Sequence, residues 1–150
     1  MTAFSLPLLL QGDVSHPDGL TLLALARRQG VLPAADGVLL PPAGQPFLLL
    51  AHGSHCLPAL ARWRGNALCR AALLLQPDGD ALAATPLSFP ALVACHRPDA
   101  HSARLTQAAS LAAVWQARFH LLQGRDALVE LSPLLAALRR LAAQPQFGEF

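Results

Sequence analysis

The chain has 150 residues, 53% of them hydrophobic and only 13% charged, with a formal net charge of +2. That length suits one domain, and a charge content near half the ~25% usual for soluble domains leaves apolar surface to face a partner, which favours an oligomer. All eleven basic residues are arginine, which excludes lysine chemistry, and their scatter, with two Trp and no Tyr, argues against a nucleic-acid face.

In chain order, short apolar runs alternate with helical patterns. Phe4–Leu10 reads as a first buried strand; it contains Pro7, follows no positive charge and is short for a signal peptide. Ser15, three residues before Asp18, reads as a capping box for a helix carrying Leu20, Leu23 and Ala24. The Pro/Gly-rich stretch from Gly37 to Gln45 reads as a loop, with a possible short edge strand at Val38–Leu40. Phe47–Ala51 is the second strand, followed by a helix over Cys56–Trp63 that tolerates Pro58 in its first turn. Ala71–Leu75 and Pro90–Cys95 are further strands. Ser102 caps a helix whose Leu105, Ala108, Ala109, Ala112 and Trp115 share one face. Arg118–Leu122 reads as a last buried strand. Ser132-Pro133 then opens a final helix with Leu134, Leu135, Leu138 and Leu141 inward and Arg139 and Arg140 outward.

Strands that are continuously apolar, rather than alternating, are covered on both faces, as in a parallel sheet. The expected fold is therefore a three-layer αβα sandwich with a mostly parallel, right-handed, doubly wound sheet of about five strands. Residues 1–143 form its single domain and 144–150 a loose tail. No apolar stretch approaches the ~18 residues of a membrane helix. The three cysteines, Cys56, Cys69 and Cys95, form no CxxC pair, and free thiols suit the cytoplasm.

The segment Leu48-Leu-Leu-Ala-His-Gly-Ser-His-Cys-Leu-Pro-Ala-Leu-Ala-Arg-Trp63 resembles the nucleophile region of the retinoblastoma-binding-protein-9-like serine hydrolases: strand, Ala/Gly-His-Ser-x-Gly-Cys, then a helix with Ala-x-x-x-Trp. The likeness continues through Ala71–Pro77, Leu87–Ala94 and Ala112–Phe119, covering residues 47 to 122. The N-terminal part is shorter than in that family and is expected to lack a helix before the Phe47 strand.

The resemblance implies a reduced α/β-hydrolase fold, but not the activity. Aligning Ala51-His52 and Cys56 puts Gly53 at the nucleophile, where glycine satisfies the sharp turn without supplying a hydroxyl. Pro98 or Asp99 stands at the acid position and Arg125 at the histidine, and a permanently protonated guanidinium cannot act as a general base. The expectation is a pseudoenzyme with no catalytic residues and no cofactor, acting through a protein partner or its own copy, not through nucleic acid or membrane.

Other readings remain open on the same residues. Ser54 could replace the nucleophile, although His52 crowds the position before it. His52, His55 and Cys56 on one turn, with Cys95, His96 and His101 beyond another strand, could hold a metal, although no standard ligand spacing supports it. Leu-Leu-Ala-His-Gly-Ser also resembles the His-Gly-Ser motif of cobalt chelatases, which would make His52 the residue that meets the entering metal. Ser54, His55, His96 and His101 could line a remnant ligand pocket.

Overall fold

The computed structural model describes residues 8–13, 15–28, 46–79, 86–96, 103–123 and 126–143. The described strands are β1 (Leu8–Gln11), β2 (Phe47–His52), β3 (Cys69–Leu75), β4 (Ala91–Cys95) and β5 (Arg118–Leu121). The helices are α1 (Pro17–Arg28), α2 (Cys56–Trp63), α3 (Ala103–Trp115) and α4 (Ala127–Ala143), with a 3-10 turn at Gly53–His55. All strand pairs are parallel and the sheet runs in chain order, β1-β2-β3-β4-β5. The five-stranded three-layer sandwich expected from the sequence is the fold that forms.

Leucine is a poor β former, so burial rather than propensity holds these strands. Neighbours in register stack leucine on leucine, as in Leu10, Leu50, Leu73 and Leu92. Successive residues then serve opposite faces. Leu9, Leu49, Ala51, Leu74 and Val93 pack under α2 and α3. Leu8, Leu10, Leu48, Leu50 and Leu73 pack under α1 and α4, against Leu22, Leu25, Leu131, Leu135 and Leu138. Each fully buried leucine contributes roughly 1.5–3 kcal/mol, which is why continuous apolar runs are stable only between two helical layers.

Several expectations need correcting. β5 is not buried: Arg118 and Phe119 are exposed and the next two residues half-buried, whereas β1, at the other end of the described order, is buried over Leu8–Leu10. Ser15 does not cap α1; its hydroxyl and its N–H both donate to Asp13 Oδ1. The cap is the His16 ring, whose Nδ1 accepts the Asp18 N–H at 3.0 Å. On α3, Ala109 faces outward while Leu111 joins Ala108, Ala112 and Trp115 in the core. On α4, Leu131, Leu135, Leu138 and Ala142 are the buried positions; Leu134 and Leu141 are half-buried. That helix starts at Ala127 with Asp126 Oδ1 accepting the Leu128 N–H, so Pro133 lies inside it rather than at its start.

All strand-to-strand moves go the same way, and α1 covers the opposite face of the sheet from α2 and α3. Residues 29–45, between α1 and β2, lie outside the described residues, and with them Val38–Leu40, as do Phe4–Pro7, Ser102 and the 144–150 tail. No helix among the described residues is long and apolar enough to cross a membrane.

Candidate functional site

Because every strand points the same way, the turns after β1, β2, β3 and β4 meet at one carboxyl edge, where open α/β sheets bind ligands. A cavity of about 220 Å³ opens there. Asp13, His16 and Asp18 reach it from the β1–α1 turn, His52 to His55 from the β2–α2 turn, Gln76 to Asp78 from the end of β3, and Gln107 from α3.

Gly53 holds the sharp turn between β2 and α2. Its φ of +55° lies in the left-handed region, and a Cβ built on it would meet no atom within 4 Å. Glycine takes that conformation freely where an L side chain is strained. A left-handed residue at this strand-to-helix turn is what the resemblance implies for position 53.

Ser54 follows Gly53 on the cavity wall, but its hydroxyl makes no hydrogen bond among the described residues. Activation of a serine calls for a base bonded to it, and none is bonded to Ser54 among the described residues. The thiols offer no substitute. All three cysteines are free and buried, and burial pushes each thiol up, Cys69 to about 12. Cys56 and Cys95 belong to the hydrophobic core, so the mixed His/Cys ligand set does not converge.

The polar groups that do converge are different. His52 is 2% exposed, and its Nε2 accepts the Asp13 N–H at 2.8 Å. Gly12 and Gly19 make that burial possible: a Cβ on Gly12 would overlap the His52 ring, and one on Gly19 would overlap the Asp13 carbonyl. Burial and the neighbouring His55 and His16 hold the His52 pKa below its ordinary value, so the ring is neutral. With Nε2 accepting, its one proton resides on Nδ1. His16 is wired alike, its Nδ1 accepting the Asp18 N–H and its Nε2 left with the proton.

Asp18 is 7% exposed and bonds His96 Nε2 through Oδ1 at 2.6 Å, tying the start of α1 to the end of β4. Burial pushes the Asp18 carboxyl up, but the bond and charge of His96 outweigh it and hold the group low. The same bond raises His96 against its own burial. The His96 N–H is fixed by Gln76 Oε1. A ring nitrogen of His16, one of His52 and a carboxylate oxygen of Asp18 lie within 4.8 Å of one another.

Such a group invites a metal, but a ligating imidazole must offer a lone pair and donate its other N–H. Here the lone pair of each ring is occupied by a backbone N–H. This wiring equally disfavours His52 as the residue that meets an entering metal ion.

Of the residues singled out in the sequence, Gly53, Ser54 and His55 line the cavity, and His96 reaches its edge through Asp18. Pro98, Asp99, His101 and Arg125 lie outside the described residues. The sequence reading does not single out His16 and assigns Asp18 only to a capping box with Ser15; their place directly after a strand's carboxyl end is the usable signal. Comparison with family models, with curated proteins and with solved structures finds no match.

Proposed function

We propose that this chain is a non-catalytic α/β-hydrolase-like domain that works by contact with another protein, first of all its own copy. The observation that carries the reading is Gly53: a left-handed turn with open space beside it and no nucleophile. The absence, among the described residues, of a base bonded to Ser54 and the burial of all three thiols support it. So does the surface. Leu20 (52% exposed) and Val129 (57%) lie on the α1 and α4 layer, and Phe119 (40%) lies on β5, the last strand in the sheet's order. With few charges to solvate the outside, such residues favour burial against a partner. The free thiols fit a reducing, cytoplasmic setting.

Mass measurement of the purified protein in solution, beside an ester-hydrolysis assay with p-nitrophenyl acetate, tests both halves. A homo-oligomer, or a stoichiometric co-purifying protein, without Ser54-dependent turnover is the expected result. A clean monomer removes the contact reading. Turnover abolished by Ser54→Ala removes the non-catalytic one.

A further inference from the structure

The helical layer of α1 and α4 does not close over the whole sheet. α4 packs chiefly over β3, and the first residues of β4 and β5 lie to one side of it. Leu92, at 7% exposed, is accordingly the most open of the buried strand residues, with Ala91 next. A groove of about 270 Å³ lies there, at the amino ends of the strands and opposite the cavity beside Gly53. Leu134, Ala137, Leu138 and Leu141 of α4 form its wall and Leu92 its floor. Leu134, Leu138 and Leu141 recur at helical spacing, so they share one flank of α4.

Arg118 lines the same groove from β5. Across the sheet, Leu10, Leu50, Leu73 and Leu92 stand in one register row, and Arg118 is its fifth member. Leu92 packs toward α1 and α4, so the row places an arginine on the helix-covered face, where each other strand has leucine. Its guanidinium has no hydrogen bond or ion pair among the described residues. No acidic residue lines the groove among them either.

Such a lining selects its ligand by charge and by shape. An apolar wall with a few placed polar groups is the usual make-up of a small-molecule site. A permanently charged, forked donor matches a carboxylate. Gln116, two residues before Arg118, brings a carboxamide to the groove. A cation is repelled, a polyol finds too few partners, and a flat ring finds no aromatic residue to stack on among the described lining residues. We propose that this groove binds a medium-length, straight-chain carboxylate, its head on Arg118 and Gln116 and its chain along Leu92, Leu134 and Leu138. The binding does not depend on self-association, so failure of either proposal leaves the other standing.

The test is calorimetric titration of the full chain with hexanoate, octanoate and octan-1-ol, repeated on Arg118→Gln and Ala137→Phe. The expected result is one site per chain, with affinity rising about two- to fourfold for each added methylene. Octan-1-ol binds about tenfold more weakly than octanoate, the effect of one lost charge-assisted hydrogen bond. Arg118 is exposed, so Arg118→Gln keeps the native circular dichroism; it removes the preference for octanoate while octan-1-ol still binds. Ala137→Phe fills the groove and weakens both ligands. Three outcomes overturn the proposal. No saturable octanoate binding leaves the groove without this ligand. Equal affinity for octanoate and octan-1-ol leaves Arg118 only an aliphatic stem laid over leucines. A preference for octanoate that survives Arg118→Gln puts the carboxylate elsewhere.

Discussion

Gly53→Ser places a hydroxyl at the turn, and its cost follows from the structure. A Cβ there meets nothing within 4 Å, so no packing penalty arises. What remains is the backbone: at φ +55° a non-glycine residue costs roughly 1–2 kcal/mol. For a domain of this length each kcal/mol moves the melting temperature by about 2–4 °C. Thermal and urea unfolding followed by circular dichroism should therefore show a loss of about 2–8 °C with an unchanged m-value. Gly12→Ala provides the contrast. Its Cβ would overlap the buried His52 ring, so either the ring or the β1–α1 turn must move, and the loss should exceed that of Gly53→Ser. On the proposed non-catalytic reading the added hydroxyl should still give no burst with p-nitrophenyl acetate, since the resemblance puts Arg125 at the place of the general base. An unchanged or raised melting temperature for Gly53→Ser would show that the turn is not held in the left-handed region. An acyl-enzyme burst would show that a base does reach it.

The Asp18–His96 pair should leave a mark on the pH dependence of stability. Asp18 is held below its ordinary 3.8, so its contribution is present above that pH and lost as pH falls through the lowered value. His96 is raised above 6.5, so its contribution is complete below that pH and fades as pH rises through the raised value. Asp18→Asn should thus cost most between these limits, about 1 kcal/mol given that His96 is 44% exposed, and less in alkali; a difference that stays flat with pH contradicts the pairing. The native protein should present no titratable thiol to Ellman's reagent, since all three cysteines are buried, and reaction should appear only on unfolding. Pro133 leaves the Val129 carbonyl without its helical partner, so Pro133→Ala should stabilise α4 by about 1 kcal/mol or more in urea unfolding; destabilisation would show that the fixed φ of proline matters more than the missing bond.

The strands were legible because a run such as Phe47–Ala51 has only one stable home, between two covered faces. What the runs could not reveal was which strand lies last in the order. Arg118-Phe-His-Leu reads much like its neighbours until the sheet is assembled. Ser132-Pro133 carries a helix-start signal, yet Asp126 caps the helix a turn and a half earlier, and apolar packing of Leu131 and Leu135 carries the chain through the proline. The left-handed turn at Gly53 was legible because a local backbone demand leaves a local residue signature. The corner of His16, Asp18 and His52 was not, because its members come from two separate strand ends and meet only through the sheet. Asp18 has two parts at once, in the first turn of α1 and bonded to His96, and sequence spacing reveals only the first.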